Sequence, residues 1–397
     1  MGVLRIVHVV PYFAPAWSYG GIPRLVFELA IEQAKEHIVT VITTDALDAQ
    51  SRHPNGGETI SWLNDNLKAV YLKNISNHIA YYHQLFLPLG LRSALDKALS
   101  DAQILHIHGH RHVLEVVSAY MAQRMKLPYV ITANGTSARI ERRQNVKAIL
   151  DFLVMDDILA RASACVAVSR AEIVQYVARG VAPERIEIIP NGLYTQAFSN
   201  LPLKGEFRKK WNIPDVPIVL YLGKITSRKG LEHLVSAVDL LRREMDLRLV
   251  IAGNDMGFLG KVKLEVAKRN LNDFVVFTGL VDGKEKLSVY VDAEVTVYPS
   301  QYEIFGLVPF ESLLCGTPVI VSNDCGCGEI IGENNIGETV PYGDAQSLAM
   351  AIKGVIREKE TAMEKVRRGK KFIREKLDWR IIAGETVRLY LKLLREK

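Results

Sequence analysis

Apolar runs of strand length recur along this chain, separated by stretches with helical spacing. Residues 4–10, 38–44, 104–108, 129–133, 165–169 and 186–189 form one series, and 218–222, 247–252, 274–278, 295–298 and 319–321 a second. The runs are largely apolar rather than alternating, so each strand is expected to be covered on both faces, as in parallel sheets flanked by helices. Between them, 23–36 places Leu25, Glu28 and Leu29 at helical spacing. The stretch from 379 to about 395 is amphipathic, with Ile381, Val387, Leu389, Leu391 and Leu394 available for packing. The pattern predicts an α/β protein of two doubly wound, Rossmann-like domains facing a central cleft, with ligands at the carboxyl ends of the strands. The first domain is placed at 1–197 and the second at 217–378. Residues 198–216, rich in Pro, Lys and Arg, are the expected linker.

A chain of 397 residues is long enough for two such domains. It is 48% hydrophobic and 24% charged, as globular proteins are, and no apolar run approaches transmembrane length. Met1-Gly-Val-Leu-Arg5 leads directly into a strand, so no leader peptide is expected. Cys165, Cys315, Cys325 and Cys327 show no disulfide framework. Cys325 and Cys327 are too tightly spaced for the usual zinc ribbon, and a reducing cytoplasm suits this usage. The net charge of +6, clustered at 139–147, 208–210 and 365–376, favours anionic small ligands or an anionic membrane surface. Aromatic residues are not interleaved with the basic ones, so no nucleic-acid partner is expected.

The densest chemistry lies at 303–311, Glu-Ile-Phe-Gly-Leu-Val-Pro-Phe-Glu, after the run 295–298 and before a helical pattern at 310–315. Gly306 permits a tight strand-to-helix turn, and Pro309 fits a first helical turn. Such a turn aims the amides of Phe305, Gly306 and Leu307 at one spot, a ready site for phosphate. Glu303 and Glu311 are too far apart to share a proton. Each suits a different hydroxyl-bearing part of one ligand, and phosphate between two hydroxylated groups describes a nucleotide sugar. Acidic residues near a helix start also stabilise its dipole by roughly 0.3–1 kcal/mol without a ligand, so the whole strand–loop–Gly–Pro–helix setting carries the reading rather than the spacing.

Three further segments add to it. The run 218–222 ends in Gly223-Lys224-Ile-Thr-Ser-Arg228-Lys229-Gly230, whose cations and glycines suit a diphosphate; a lysine there neutralises charge developing on a leaving group. After the first run, Gly20 and Gly21 precede Pro23 and allow a phosphate to approach the backbone. This is not a G-x-G-x-x-G fingerprint, so a nicotinamide or flavin cofactor loses its best support. His106, His108 and His110 fall within five positions. Strand alternation points His106 and His108 the same way, and without an acid partner a structural or substrate-contacting role is favoured over metal ligation. Asn134-Gly135 reads first as a turn and second as a sugar contact. The apolar, aromatic segment 81–89 is either core or an acceptor surface.

Together, Gly20-Gly21, Ile189-Pro190-Asn191-Gly192, Gly223-Lys224 with Lys229-Gly230, the Glu303/Glu311 pair and Gly316-Thr-Pro-Val-Ile320 resemble the family 4 glycosyltransferases of the GT-B fold, from Arg5 to the final helix. The resemblance implies a retaining, metal-independent hexosyltransferase without a cofactor. Such an enzyme moves a sugar from a nucleotide-sugar donor to a hydroxyl of a saccharide or lipid-linked acceptor, in glycan or polysaccharide biosynthesis. It would work in the cytoplasm or peripherally on the inner face of the membrane. The implied catalytic residues are Glu303, Lys229 and Lys224; the implied substrate-binding ones are Gly20, Gly21, His108, Asn134, Phe305, Gly306, Leu307 and Glu311. Within these sets the resemblance puts Glu311 on the ribose and Glu303 on the donor sugar. It puts both lysines and the amides after Glu303 on the diphosphate, with Gly21 approaching from the first domain. It also implies that helix 379–397 crosses back to complete the first domain, and that an acceptor hydroxyl attacks the front face while a phosphate oxygen takes its proton. Three positions depart from the family pattern: Lys224 is often Arg, Asn134 is His in many members, and Leu193-Tyr194 replace Val-Asp. The alternatives are a GT-B nucleotide-sugar epimerase or phosphorylase, or a silent nucleotide-sugar-binding subunit. Intact Glu303, Lys229 and Glu311 argue against the last.

Overall fold

The computed structural model describes residues 2–54, 59–136 and 155–396. The chain divides into two compact units, one made of Met1–Gly192 with Trp379–Lys397 and the other of Leu193–Asp378.

The first unit is built on a sheet of β1 (Arg5–Val9), β2 (Ile38–Thr44), β3 (Thr59–Asn64), β4 (Leu67–Leu72), β5 (Ile104–His108), β6 (Tyr129–Thr132), β7 (Ala164–Ala167) and β8 (Ile186–Ile188). Their order is β3-β4-β2-β1-β5-β6-β7-β8, and every pairing is parallel except β3 with β4. The winding reverses between β1 and β5. Ile6, Val7, His8 and Val9 are all buried, which is why β1 reads as a continuous run: helices cover both of its faces.

The second unit holds β9 (Ile218–Leu222), β10 (Arg248–Ala252), β11 (Val275–Gly279), β12 (Val295–Tyr298), β13 (Val319–Ser322) and β14 (Glu338–Val340). They form a wholly parallel sheet in the order β11-β10-β9-β12-β13-β14. Here the winding reverses between β9 and β12, whose partners are Val219 with Val295 and Leu220 with Thr296. Both units are thus doubly wound, with a switch point where ligands bind in such sheets.

The structure adds three strands to the sequence pattern. β3 and β4 are an antiparallel pair at a sheet edge, where Trp62 is exposed; β14 is an edge strand of three residues with a single buried one, Val340. β3 and β14, at sheet edges, lack the two-sided burial that marks most of the others, whereas β4 is an interior strand buried at five of its six positions.

Residues 198–216 were expected as a linker, but they pack into the second unit. The helix Glu206–Trp211 buries Phe207 in its core. The Asp292 carboxylate accepts from the N–H groups of Gly205 (2.5 Å) and Arg208 (2.9 Å), and the Arg208 guanidinium pairs with Glu294 at 3.0 Å. The basic residues that suggested a solvated connector include this anchor.

The final helix, Trp379–Arg395, belongs to the first unit. It buries Trp379, Ile382, Thr386, Leu389 and Tyr390, while Ile381, expected to pack, is 38% exposed. The Trp379 ring lies where a side chain at Gly192 would sit, 2.4 Å from that Cβ position, and its indole N–H donates to Glu28. No helix among the described residues is long and apolar enough to cross a membrane. The basic cluster 139–147 lies outside the described residues.

Candidate active site

In the second unit the two loops that leave β9 and β12 meet at the switch point. Gly230 closes the first loop with φ +62°, and a Cβ there would lie 2.1 Å from the Pro299 carbonyl oxygen of the second loop. Gln301 N–H donates to the Arg228 carbonyl at 2.8 Å. These two contacts lock the loops backbone to backbone and leave the side chain of Lys229 aimed at Glu303.

Lys229 and Glu303 form an ion pair, closed into a triangle by Tyr298. Lys229 Nζ donates to the Tyr298 hydroxyl at 2.7 Å, and that hydroxyl donates to Glu303 Oε2 at 2.8 Å. The Lys229 ammonium also lies 4.7 Å from the Tyr298 ring centroid. Burial would raise the Glu303 carboxyl, but Lys229 beside it, with the bonds from Lys229 and Tyr298, holds it below the usual carboxylate range. Lys224, an exposed residue, is depressed because its ammonium is crowded by protein atoms and because Lys229 repels it, with Glu303 opposing. Two cations and one ionised carboxylate are therefore concentrated at the ends of adjacent strands.

The turn after Glu303 follows the sequence expectation. Gly306 has φ +74° and caps the helix Leu307–Cys315, and Pro309 sits in its first turn. A Cβ at Gly306 would meet Glu303 Cγ at 3.0 Å and Cys327 Sγ at 3.2 Å. The first amides of this helix have no intrahelical acceptor, and the positive end of its dipole favours an anion. The next helix, Gly326–Glu333, is tied to the same turn, since Gly326 N–H donates to the Glu303 carbonyl at 2.7 Å. Cys325 and Cys327, both buried free thiols, lie 3.2 Å apart beneath it.

Glu311 has a separate setting. Lys286 Nζ donates to both of its oxygens at 2.7 Å, and the Tyr290 hydroxyl donates to Oε2 at 2.9 Å. A carboxylate has about four acceptor positions, so these bonds orient it while leaving capacity for a ligand hydroxyl. Tyr298, Lys286 and Tyr290 were not singled out from sequence. Tyr298, a polar-tipped residue ending an apolar strand, carries a usable signal; Lys286 and Tyr290 are ordinary helix residues whose partner is known only once two helices pack.

The first unit holds the remaining expected residues. Gly20 has φ +112° and ψ −138°, a conformation that requires glycine. Gly21 begins the helix Gly21–Gln33, and a Cβ there would meet nothing within 4 Å. His106 and His108 do share a face, with ring centroids 4.1 Å apart. The register of β1 on β5 sets His8 beside His106 and so adds a third imidazole that sequence reading missed. The three offer ligand atoms within 4.8 Å of one another, yet they are already engaged. His8 Nδ1 and His108 Nε2 are 2.8 Å apart, His8 Nε2 is 2.7 Å from Gln33 Oε1, His106 Nδ1 is 2.5 Å from the Tyr390 hydroxyl, and His106 Nε2 is 2.7 Å from Thr132 Oγ1. Burial pushes His8 down to about 4 and His106 and His108 well below the usual imidazole value. Asn134 takes a left-handed turn at φ +51°, and Gly135 N–H donates to the buried Glu172 at 2.6 Å. His108 and Asn134 line one small cavity together with Thr132, Asn191 and Trp379.

Segment 81–89 is core in part and exposed in part. Phe86 is fully buried, 5.3–5.5 Å from the rings of Tyr12, Tyr19 and His112. Tyr82, Leu85 and Leu89 are exposed, as are the nearby Ile75 and Ile79.

Two doubly wound units, with charged and glycine-built loops meeting at one switch point, have the GT-B glycosyltransferase architecture. Residues 204–372 match the family model for glycosyl transferases group 1, and residues 19–197 the model for glycosyltransferase family 4. The chain belongs to the family 4 glycosyltransferases. An uncharacterized glycosyltransferase of Methanocaldococcus jannaschii is 34% identical over 213 residues, 52% of this chain and 54% of that protein, so the match spans about half of that relative. Glycogen synthase of Mycobacterium tuberculosis is 27% identical over 301 residues, 73% of this chain and 69% of that protein. Among solved structures, sucrose-phosphate synthase from Thermosynechococcus elongatus superposes with TM-score 0.74 at 25% identity, covering 99% of this chain and 100% of that one. Anabaena HepE in complex with UDP gives 0.77 at 16% identity, covering 98% and 100%, a likeness of fold.

Proposed function

We propose that this protein is a retaining glycosyltransferase, moving a sugar from a nucleotide-sugar donor to a hydroxyl of a saccharide or lipid-linked acceptor, without a resident metal or cofactor. The observation that carries the reading is the Lys229–Tyr298–Glu303 triangle beside the Gly306-capped helix. The helix amides, Lys229 and Lys224 receive the diphosphate and neutralise it as it leaves. Glu303 is ionised but held by Lys229, which makes it a poor covalent nucleophile and a good hydrogen-bond acceptor for donor-sugar hydroxyls. That balance favours front-face attack, with a phosphate oxygen taking the proton of the incoming hydroxyl. Screening UDP-, GDP- and ADP-sugars for binding, then following turnover and reading the product anomer by proton NMR, tests the reading. A product of inverted configuration, or binding of none of these donors, overturns it.

Glu311, held by Lys286 and Tyr290, is read as the ribose contact. Glu311→Ala is expected to weaken nucleoside diphosphate binding by about 1.5–3 kcal/mol, the value of a hydrogen bond to a charged group, even when the nucleotide carries no sugar. Calorimetric titration of the folded variant checks this, and unchanged affinity removes the assignment.

The exposed apolar side chains Ile79, Tyr82, Leu85 and Leu89 support a lipid-linked acceptor and shallow contact with an anionic membrane. Co-sedimentation with anionic vesicles is expected, and Tyr82→Asp with Leu85→Asp should release the protein while donor binding stays unchanged. Failure of the unaltered protein to bind vesicles at low salt eliminates the membrane contact and favours a soluble saccharide.

A further inference from the structure

Two thiols lie side by side beneath the turn that carries Glu303. Cys325 Sγ and Cys327 Sγ are 3.2 Å apart, and both are free. Cys325 caps the helix Gly326–Glu333, where its sulfur accepts from the Gly328 N–H at 3.3 Å and donates to the Ser322 carbonyl at 3.0 Å. The Cys327 thiol and the Gly328 N–H, both donating to Cys325, hold it below the usual thiol value against the effect of burial. Burial pushes Cys327 well up, and it pushes Cys165 and Cys315 up to about 12. One sulfur of the pair is therefore set up as a thiolate, and the other is its proton donor.

The pair is built into the floor of the site. A Cβ at Gly306 would meet Cys327 Sγ at 3.2 Å, Glu303 Cγ at 3.0 Å and Tyr298 Cε1 at 3.2 Å, so the Cys327 sulfur packs against that turn. Gly326, the residue between the cysteines, donates its N–H to the Glu303 carbonyl at 2.7 Å. On the other side the helix is clamped, since a Cβ at Gly328 would lie 2.1 Å from the Ser322 carbonyl oxygen. Joining the two sulfurs shortens their 3.2 Å separation to about 2.05 Å. It also removes the S–H that Cys325 donates to Ser322. With Gly328 held against the end of β13, the shift is taken up at Gly326 and Gly306, the two points that hold the Glu303 turn.

We propose that Cys325 and Cys327 are a redox-sensitive modification site, at which hydrogen peroxide drives closure of a disulfide that displaces the Glu303–Gly306 turn. The Cys325 thiolate attacks one peroxide oxygen, the O–O bond breaks, and the released hydroxide takes up a proton and leaves as water. Cys327 sulfur then attacks the sulfenic sulfur of Cys325. The Cys327 proton goes to the departing hydroxyl, a second water leaves and the S–S bond forms. The two thiols lose two electrons and the peroxide gains them. Both sulfurs belong to buried residues, which admits a small oxidant and keeps out a bulky disulfide. Cysteines one residue apart close a short ring that adds little entropic stability, so a dithiol reductant reopens it. The consequence for transfer rests on the reading of Glu303 as the donor-sugar contact.

The site is tested by treating the full chain with peroxide, alkylating it under denaturing conditions and mapping its peptides by mass spectrometry. Two of the four thiols should be lost, with a deficit of two hydrogens confined to the peptide holding Cys325 and Cys327, and dithiothreitol should restore both. Four intact thiols, or sulfinic acid without a disulfide, would overturn the site. In Cys327→Ser, dimedone should trap a sulfenic acid at Cys325; trapping at Cys327 in Cys325→Ser would overturn the order of attack. Hydrogen exchange reads the coupling without substrate. Oxidation should raise exchange across 303–310 and 326–328 in the unaltered protein and leave it unmoved in Cys325→Ser, which keeps a capping oxygen for Gly328. A disulfide that closes with unmoved exchange overturns the coupling. With donor and acceptor identified by the screen above, oxidation should lower kcat by about 10–100-fold, reversibly, and Cys325→Ser should resist it. Should the screen find no transfer, mass and exchange still decide the site, so failure of the transferase reading and failure of the switch are separable.

Discussion

Lys229→Ala is expected to lower turnover by ~10²–10³ while the Michaelis constant for the donor rises far less. Lys229 is already organised: the ion pair with Glu303, the bond to Tyr298 and the ring beneath its ammonium fix it before any ligand arrives. A fixed cation does most for the state with most negative charge, and that is the departing diphosphate rather than the bound donor. Little reorganisation is then needed at the moment of reaction, which is the condition under which electrostatic stabilisation is large. The variant should also show Glu303 titrating at higher pH, because the burial that raises its carboxyl is then opposed by fewer interactions. Steady-state kinetics across a pH series reads both effects. A raised Michaelis constant with unchanged turnover would reduce Lys229 to a binding contact.

Gly230→Ala should be strongly damaging. An alanine must adopt φ +62° and must displace the Pro299 carbonyl from 2.1 Å. The first demand costs roughly 1 kcal/mol and the second adds to it, for an expected loss of about 3 kcal/mol. Gly257→Ala supplies the comparison, because φ is +91° there and a Cβ would meet nothing. It should cost only about 1 kcal/mol. Urea unfolding of the two variants separates backbone strain from close approach. Turnover should fall in Gly230→Ala and hold in Gly257→Ala, since only the former moves the loop that carries Lys229. Equal destabilisation of both would show that the contact between the loops has little energetic weight.

The legible parts of this chain are those where burial is symmetrical. β1, β9 and β12 are covered on both faces, and their apolar runs announce them without further context. The Glu303–Gly306 turn was legible for a different reason: Gly306 needs a positive φ and Pro309 needs a first turn, so two backbone constraints point to one geometry. What escaped depends on contacts between residues distant in sequence. His8 reads as a polar interruption of β1 until β5 is laid beside it. Gln33 and Tyr390 are separated by 357 positions, and no local pattern predicts that an amide and a phenol will meet. The linker was misread because Arg208 looks solvated until Glu294 and Asp292 are placed next to it.

The return of the final helix to the first unit has a consequence for synthesis. A ribosome makes residues 1–192 first, but Trp379 and Tyr390, which cover Glu28, Gln33 and His106, come only after the entire second unit has been translated. At about 5–20 residues per second, that interval is roughly 10–40 s. Throughout it the nascent first unit shows an open apolar groove and the unfinished end of a histidine chain, while the later sequence folds as a complete body. The unit begun first is thus the one finished last, and the period in which chaperones can engage its groove is set by the length of its neighbour.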